Sequence, residues 1–299
     1  MEKKMFKNIE AKEIRNLDSY LPQSEKEWLE SGTFTIENVA IGEKSIRCAF
    51  AEGSEGNSLV TMVGGIPRDP ERRKNLPLIN KLYGHLAIKL AAVRESSVMY
   101  NQPATGGSGG DWDKETLQTR ARVLAGVSEH FCEKVKPKQV AIVGTSAGAY
   151  MAAKSILELQ ESGINVSKLV LLSPAAYPES IDDIPYGEKF SEIVRTPWNV
   201  SDSPIFSILQ RFTESGGSVL ISFFEDDDPP IPKQIQEYYR NFVKELSDAG
   251  GKIKIITIPG VAHNFRRIGS QESKNVVDND SVRSAAGIFF SFLSQEHNE

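Results

Sequence analysis

A serine between two glycines is the first group in this sequence that could do chemistry. Residues 144–148 read GTSAG, between the apolar run QVAIV and an alanine-rich segment. Glycine at 144 and 148 permits a sharp turn from strand to helix, because larger side chains would collide with neighbouring backbone there. The pattern predicts Ser146 as an exposed nucleophile at a helix start, where free amides stabilise negative charge. The alternative is an ordinary tight turn in which Ser146 caps the helix.

A nucleophilic serine needs a base, usually a histidine that a carboxylate orients. His263 follows the apolar run KIKIITIP and precedes the last amphipathic segment, which predicts it at the same sheet edge as Ser146. The acids 225–228 (EDDD) follow the apolar run VLISFF. We expect Asp228, next to the proline turn, to orient His263, with Asp227 as the alternative. An acidic turn or a divalent cation site is the other interpretation of this run.

Strands and helices must alternate to bring these side chains together. From Leu59 onward, short apolar runs without polar alternation are separated by longer amphipathic segments, a pattern typical of strands covered on both faces by helices. At least five alternations predict an α/β fold with a mostly parallel, doubly wound sheet of about eight strands. TFTIENVAI and SIRCAFAEG, joined at Gly42, predict an antiparallel edge. Ligands bind such sheets beyond the carboxyl ends of the strands.

The composition is that of a soluble globular protein. The 299 residues are 39% hydrophobic and 25% charged, enough for a sizeable core, and the net charge of -5 argues against nucleic acid or an anionic membrane as the main partner. Cys48 and Cys132 form no CxxC pair, and the first 20 residues lack the apolar core of a signal peptide, so a cytoplasmic location is expected. No apolar run reaches the roughly 18 residues of a membrane span.

The order serine, acid, histidine and the placement of these residues resemble the α/β-hydrolase superfamily. The resemblance covers about residues 33–296 and implies a carboxylesterase-like serine hydrolase that needs no metal or organic cofactor. LVTMVGGIPRDP is similar to the family's oxyanion loop, which implies the amides of Ile66 and Ala147 as the oxyanion hole, with Gly65 as the alternative donor. Gly64 stands where the family has histidine.

The segment of about 173–217, rich in proline and aromatic residues, takes the place of the family's lid. We expect one hydrolase domain over 33–296 with this short lid, after a charged lead-in at 1–32. Arg195 is expected to meet a substrate carboxylate, and the alternative for the lid aromatics is simple packing onto the body. The residues expected to line the pocket are Gly65, Thr145, Tyr177, Tyr186, Phe190 and Trp198.

The expected reaction is acyl transfer from a small-molecule acyl substrate to Ser146. Carboxylesterase, thioesterase, peptidase and acyltransferase remain open, because a fold does not settle the substrate. A serine at this turn excludes the aspartate nucleophile of dehalogenases. The alternative from another class is a small-molecule-binding protein without catalysis, and the sequence predicts no oligomeric state.

Overall fold

A mixed nine-stranded sheet organises the described part of the chain. The computed structural model describes residues 25–53, 57–67, 69–228, 230–268 and 277–295, so residues 1–24 of the expected lead-in and residue 296 at the end of the expected domain lie outside the described residues. The strands are β1 Thr35–Ile41, β2 Lys44–Ala51, β3 Ser58–Val63, β4 Ser96–Tyr100, β5 Gln139–Thr145, β6 Val166–Leu172, β7 Ser218–Asp226, β8 Ile253–Ala262 and β9 Arg266–Arg267.

Helices fill the connections between these strands. They are α1 Glu25–Glu30, α2 Pro70–Lys74, α3 Lys81–Ala92, α4 Leu117–Val135, α5 Ala147–Glu161, α6 Glu188–Arg195, α7 Pro204–Glu214, α8 Lys233–Asp248 and α9 Asn279–Ser294. Short 3-10 segments lie at 112–114, 179–181, 200–202 and 263–265. None of the helices in the described part of the chain has the length and apolar character needed to cross a bilayer.

The strand order is β1-β2-β4-β3-β5-β6-β7-β8-β9. Strands β1, β2 and β4 pair antiparallel, whereas every pairing from β4 through β3 to β8 is parallel. This confirms the predicted doubly wound α/β sheet of about eight strands and its antiparallel edge. The two-residue strand β9 adds a further antiparallel edge beside β8.

The central strands are apolar throughout because both of their faces are covered. In β5, Val140 and Ile142 enter the core on one face of the sheet, while Ala141 and Val143 enter the core on the other. Helices α4, α5, α7 and α8 contribute to the first core, and α1, α3 and α9 to the second. The chemistry at the strand ends is therefore carried by a frame packed from both sides.

Helix α1 lies inside the segment that the sequence marks as a lead-in, and it contributes Trp28 to the second core. Trp28 is 1% exposed. Its indole packs on Gly84 of α3, where an added Cβ would lie 2.8 Å from the ring, and it makes edge contacts with Phe34 and His85. The division into lead-in and domain stays a prediction.

The segment expected to form the lid contains two different helices. Helix α7 buries Ile205, Leu209 and Phe212 and provides the crossover between the parallel strands β6 and β7. Helix α6 has no fully buried residue and contacts the core through partly buried side chains such as Phe190. The two helices therefore differ sharply in how firmly they are packed.

Candidate active site

Ser146 lies at a strained turn between β5 and α5. Its φ of 57° and ψ of -124° are unusual for a residue with a side chain. An added Cβ at Gly144 would lie 2.6 Å from Ala149 Cα, and one at Gly148 would lie 2.4 Å from Gly64 O. Both distances are shorter than real Cβ contacts, so only glycine fits at either position. The turn therefore depends on both glycines, as expected for a nucleophile elbow.

Backbone hydrogen bonds hold this turn against the neighbouring strand. Ser146 N donates to Leu172 O over 2.8 Å, and Ser146 O accepts from Ala149 N over 3.0 Å and from Ala175 N over 3.3 Å. These bonds fix the position of the Ser146 backbone. Among the described residues no hydrogen-bond partner is found for Ser146 Oγ, which lines a cavity.

The histidine and an acid form a close pair at the ends of β8 and β7. His263 Nδ1 lies 2.5 Å from Asp227 Oδ1, with the Asp227 side chain 0% and the His263 side chain 12% exposed. Because an ionised carboxylate only accepts hydrogen bonds, this contact assigns the proton to Nδ1. Nε2 of His263 is thereby left as the nitrogen that can take up a proton.

The expected acid, Asp228, has no hydrogen bond to His263 among the described contacts, and the imidazole pairs instead with Asp227, the alternative acid. Strand β7 continues through Asp226 with a register shift after Phe224, so the first residue beyond the strand turns inward. Asp228 is the next residue and is exposed. The proline turn after Asp228 is visible in the sequence, but the end of strand β7 at Asp226 is not.

The other acids of the run do not form a cation site. Glu225 Oε2 accepts a hydrogen bond from Gly260 N over 2.6 Å, away from the buried Asp227. Within the part of the chain that the structure describes, no three His, Cys, Asp or Glu side chains are grouped in a way that could hold a metal ion. Asp227 alone of the four acids is buried, whereas Glu225, Asp226 and Asp228 are exposed.

Ser173 is a site residue that the sequence analysis missed. Its hydroxyl donates to Asp227 Oδ2 over 2.5 Å, and Phe224 N donates to the same oxygen over 3.1 Å. Ser173 is fully buried, and its own amide donates to Ser222 O over 2.7 Å. Its position directly after β6, at the carboxyl edge of the sheet, was the available signal. The carboxylate is thus held from three sides, with His263 on Oδ1.

Backbone contacts connect the elbow to this pair. Ser146 bonds to Leu172 and Ala175, which flank the Ser173 that holds Asp227. No hydrogen bond joins Ser146 to His263 among the described contacts. Catalytic hydrogen bonds are often long in a protein without substrate and tighten when substrate binds. Ser146, Asp227 and His263 therefore lie at one edge of the sheet. The hydrogen bond between Asp227 and His263 is formed, and none is formed between Ser146 and His263 among the described contacts.

The loop after β3 lies directly against the elbow. An added Cβ at Gly65 would lie 3.1 Å from Ser146 Cβ, and Ile66 lines the same cavity as Ser146 and Ala147. Gly64 O accepts a hydrogen bond from Gln102 Nε2 over 2.5 Å, which ties this loop to the segment that follows β4. The residues expected to donate oxyanion amides thus stand beside the serine.

A cavity of 640 Å³ opens at Ser146. Its walls are mostly apolar and aromatic, as is typical of small-molecule sites. The lining residues are Ile66, Arg73, Trp112, Ser146, Ala147, Ala175, Tyr177, Tyr186, Gly187, Phe190, Ser191, Pro230 and Ile231. Tyr177, Tyr186 and Phe190 therefore line the cavity, while Arg73 and Trp112 were not anticipated.

Three residues expected near the substrate lie elsewhere. Trp198 is absent from the cavity lining and packs partly buried against the core. Thr145 Oγ1 forms a 2.7 Å hydrogen bond with Tyr83 OH, which is buried under the elbow. Burial raises the pKa of Tyr83 far above its usual value, so the phenol stays neutral and donates to Val63 O over 2.6 Å. Arg195 borders a separate cleft along α6.

Comparison with known proteins is consistent with this architecture. A family model described as the alpha/beta hydrolase fold matches residues 116–267, which include the elbow, Asp227 and His263. No match is found among curated proteins.

Solved structures share the fold at low sequence identity. A putative hydrolase from Agrobacterium vitis is 17% identical with a TM-score of 0.56, covering 86% of this chain and 98% of that one. An alpha-beta serine hydrolase homologue from Coxiella burnetii is 15% identical with a TM-score of 0.56, covering 87% and 97%. An esterase from Pyrobaculum calidifontis is 15% identical with a TM-score of 0.54, covering 94% of each chain.

Proposed function

The chain belongs to the α/β-hydrolase family, and from that premise we propose that it is a serine hydrolase which cleaves a carboxylic ester through an acyl-enzyme on Ser146. The observation that carries the proposal is the contact of His263 with the buried Asp227, at the sheet edge where the strained Ser146 turn lies. A hydrogen-bonded acid and histidine beside an elbow serine form the arrangement that activates a hydroxyl.

The proposed first step is attack of Ser146 Oγ on the ester carbonyl carbon. His263 Nε2 takes the hydroxyl proton as the new C–O bond forms, and Asp227 stabilises the resulting imidazolium. The amides of Ile66 and Ala147 are proposed to bind the oxyanion, where one donor lowers the barrier by about 3 kcal/mol. Collapse of the intermediate expels the alcohol, which receives the proton from His263.

Water completes the proposed cycle. His263 removes a proton from water as it attacks the acyl carbon, the bond to Ser146 breaks, and the serine recovers its proton from the imidazolium. The acid is released and the enzyme returns to its starting state. The residues of this cycle belong to the chain itself.

The cysteines support serine as the nucleophile. Burial raises the pKa of Cys48 to about 12 and that of Cys132 to about 11, so both are protonated thiols near neutral pH. Both are also free of disulfides, which agrees with the cytoplasmic location that we propose from the sequence.

The test is covalent labelling with a fluorophosphonate, combined with hydrolysis of 4-nitrophenyl esters. We expect the wild type to be labelled and active, and Ser146→Ala to lose both properties while its circular dichroism stays unchanged. Ser191→Ala is the matched control, because Ser191 lines the same cavity. It should be labelled like the wild type. A folded wild type that neither reacts with the probe nor hydrolyses any ester would overturn the proposal.

A further inference from the structure

One buried phenol joins the loop after β3 to the elbow. Tyr83 lies on α3 and is 3% exposed. Its hydroxyl lies 2.6 Å from the carbonyl oxygen of Val63, at the end of β3, and 2.7 Å from Oγ1 of Thr145, which precedes Ser146. A carbonyl oxygen only accepts, so the single phenol proton goes to Val63 O and the Thr145 hydroxyl donates to Tyr83. The ends of β3 and β5 are therefore tied together through one side chain.

The next carbonyl of this loop is held by a second side chain. Gly64 O accepts a hydrogen bond from Gln102 Nε2 over 2.5 Å. Gln102 is 3% exposed, and its Oε1 accepts from Nη1 of the fully buried Arg120 over 3.0 Å. Because a guanidinium only donates, Arg120 orients the Gln102 amide so that Nε2 faces the loop. The direction of the bond to Gly64 O is thus set from within the core.

These bonds fix two successive peptide planes beside the elbow. In a trans peptide the N–H points away from the C=O, so a held carbonyl also sets the direction of the following amide. Val63 O and Gly64 O both face the start of α5, where an added Cβ at Gly148 would lie 2.6 Å and 2.4 Å from them. Gly65 and Ile66, whose amides are the alternative and the proposed oxyanion donor, follow directly. Their orientation relative to the elbow therefore depends on the two held carbonyls.

We propose that Tyr83 and Gln102 are positioning residues, which hold the loop after β3 where its amides can bind an oxyanion formed at Ser146. The inference rests on the proposed function and adds two residues to that site. Among the described residues that line the cavity neither side chain is found, so neither is expected to touch substrate. Both act through backbone groups of the loop, which predicts a loss in the chemical step with little change in substrate binding.

Replacing the reacting carbonyl oxygen by sulfur tests this role. 4-Nitrophenyl benzoate and its thiono analogue, in which C=S replaces C=O, differ only at the atom that the amides would bind. Sulfur is a weak hydrogen-bond acceptor, so the wild type should favour the oxygen ester, and a displaced loop should reduce that preference. Tyr83→Phe removes the phenol hydrogen bond to Val63 O. Gln102→Glu keeps the side-chain shape, but a carboxylate beside Arg120 cannot donate to Gly64 O.

Each variant should lower the ratio of kcat/KM for the oxygen ester to that for the thiono ester by about tenfold, through kcat, with KM changed by less than about twofold. Ser128→Ala is the matched control, because the buried Ser128 hydroxyl bonds to Thr61 Oγ1 of β3 over 3.0 Å, away from the loop. It removes a buried hydrogen bond to the same strand and should leave the ratio unchanged. Melting curves establish that each variant is folded, and if one fails to fold, the other decides.

The two esters separate failure of this inference from failure of the proposed function. Wild-type turnover of the oxygen ester, with a ratio that either folded variant leaves unchanged, overturns the positioning role alone. A ratio lowered equally by Ser128→Ala also overturns that role, because any weakening of β3 would then have the same effect. A folded wild type that turns over neither ester overturns the proposed hydrolase, and with it the inference that rests on it.

Discussion

The two sides of the cavity at Ser146 are built in different ways. On the elbow side, backbone atoms approach so closely that Gly144 and Gly148 have no room for a methyl group. On the covering side, α6 has no fully buried residue and reaches the cavity through ring contacts such as Tyr177 with Phe190, whose centroids are 5.9 Å apart. The tightly packed elbow side holds the residues of the proposed chemistry. The loosely packed α6 side forms the wall of the space proposed for substrate.

The largest effect is expected where the rigid side holds the histidine. Asp227→Asn keeps the shape of the carboxyl group but favours the wrong tautomer of His263, so kcat should fall by about 10⁴-fold. Asp228→Asn changes the exposed neighbour and should leave kcat unchanged. Steady-state kinetics on a 4-nitrophenyl ester measures both variants. Equal losses in the two would mean that Asp227 is not the orienting acid.

The elbow glycine should be the next most sensitive position. An added methyl group at Gly148 meets Gly64 O at 2.4 Å, so Gly148→Ala should lower the free energy of unfolding by about 3 kcal/mol and displace the loop after β3. Gly287→Ala is the control, because this glycine lies in α9 with nothing within 4 Å of an added Cβ. It should stabilise the helix by up to about 1 kcal/mol. Urea unfolding that ranks the two variants equally would contradict the contrast.

Ser173 tests whether the carboxylate must itself be held. Ser173→Ala removes one of two hydrogen bonds to Asp227 Oδ2 and leaves Phe224 N in place, so kcat should fall by about tenfold with little change in KM. Ser222→Ala is the matched change, since this buried hydroxyl has no hydrogen-bond partner among the described residues. A loss in kcat for Ser222→Ala as large as that for Ser173→Ala would assign the effect to packing.

The smallest effect is expected on the covering side. Phe190→Ala enlarges the cavity beside Tyr186 and should shift the preference among acyl groups by less than about tenfold in kcat/KM, with the melting temperature nearly unchanged. Ile193→Ala is the control on the same helix, because Ile193 does not line the cavity. A series of 4-nitrophenyl esters graded by acyl size measures both variants. If Phe190→Ala failed to fold, α6 would be needed for the stability of the domain, and the difference in packing between the two sides of the cavity would not hold.

The sequence predicted the sheet well because its signal is local. Each buried strand is a short apolar run, as in β5, and the elbow glycines sit where that strand becomes α5. Covered strands and a crowded turn impose their residue types directly, whatever the distant parts of the chain do. The fold class and the position of Ser146 in it could therefore be obtained from patterns of a few residues.

The features that the sequence analysis missed depend on contacts between distant segments. The sequence shows four consecutive acids and does not distinguish them. Asp227 faces inward because strand β7 ends at Asp226 with a shift in register. Arg73 and Trp112 are in contact although 38 residues of the chain lie between them. Trp198 was expected in the cavity because aromatic residues are common there, but the same residues also pack cores, and composition does not separate the two roles.

Trp28 has a practical consequence for anyone who shortens this protein. A truncation that starts at residue 33, where the charge pattern changes, would delete an indole that is inserted over Gly84 and beside His85. The shortened polypeptide would expose an apolar hollow on the face opposite α5 and would be prone to aggregate. Expression clones intended for crystallisation should therefore retain α1.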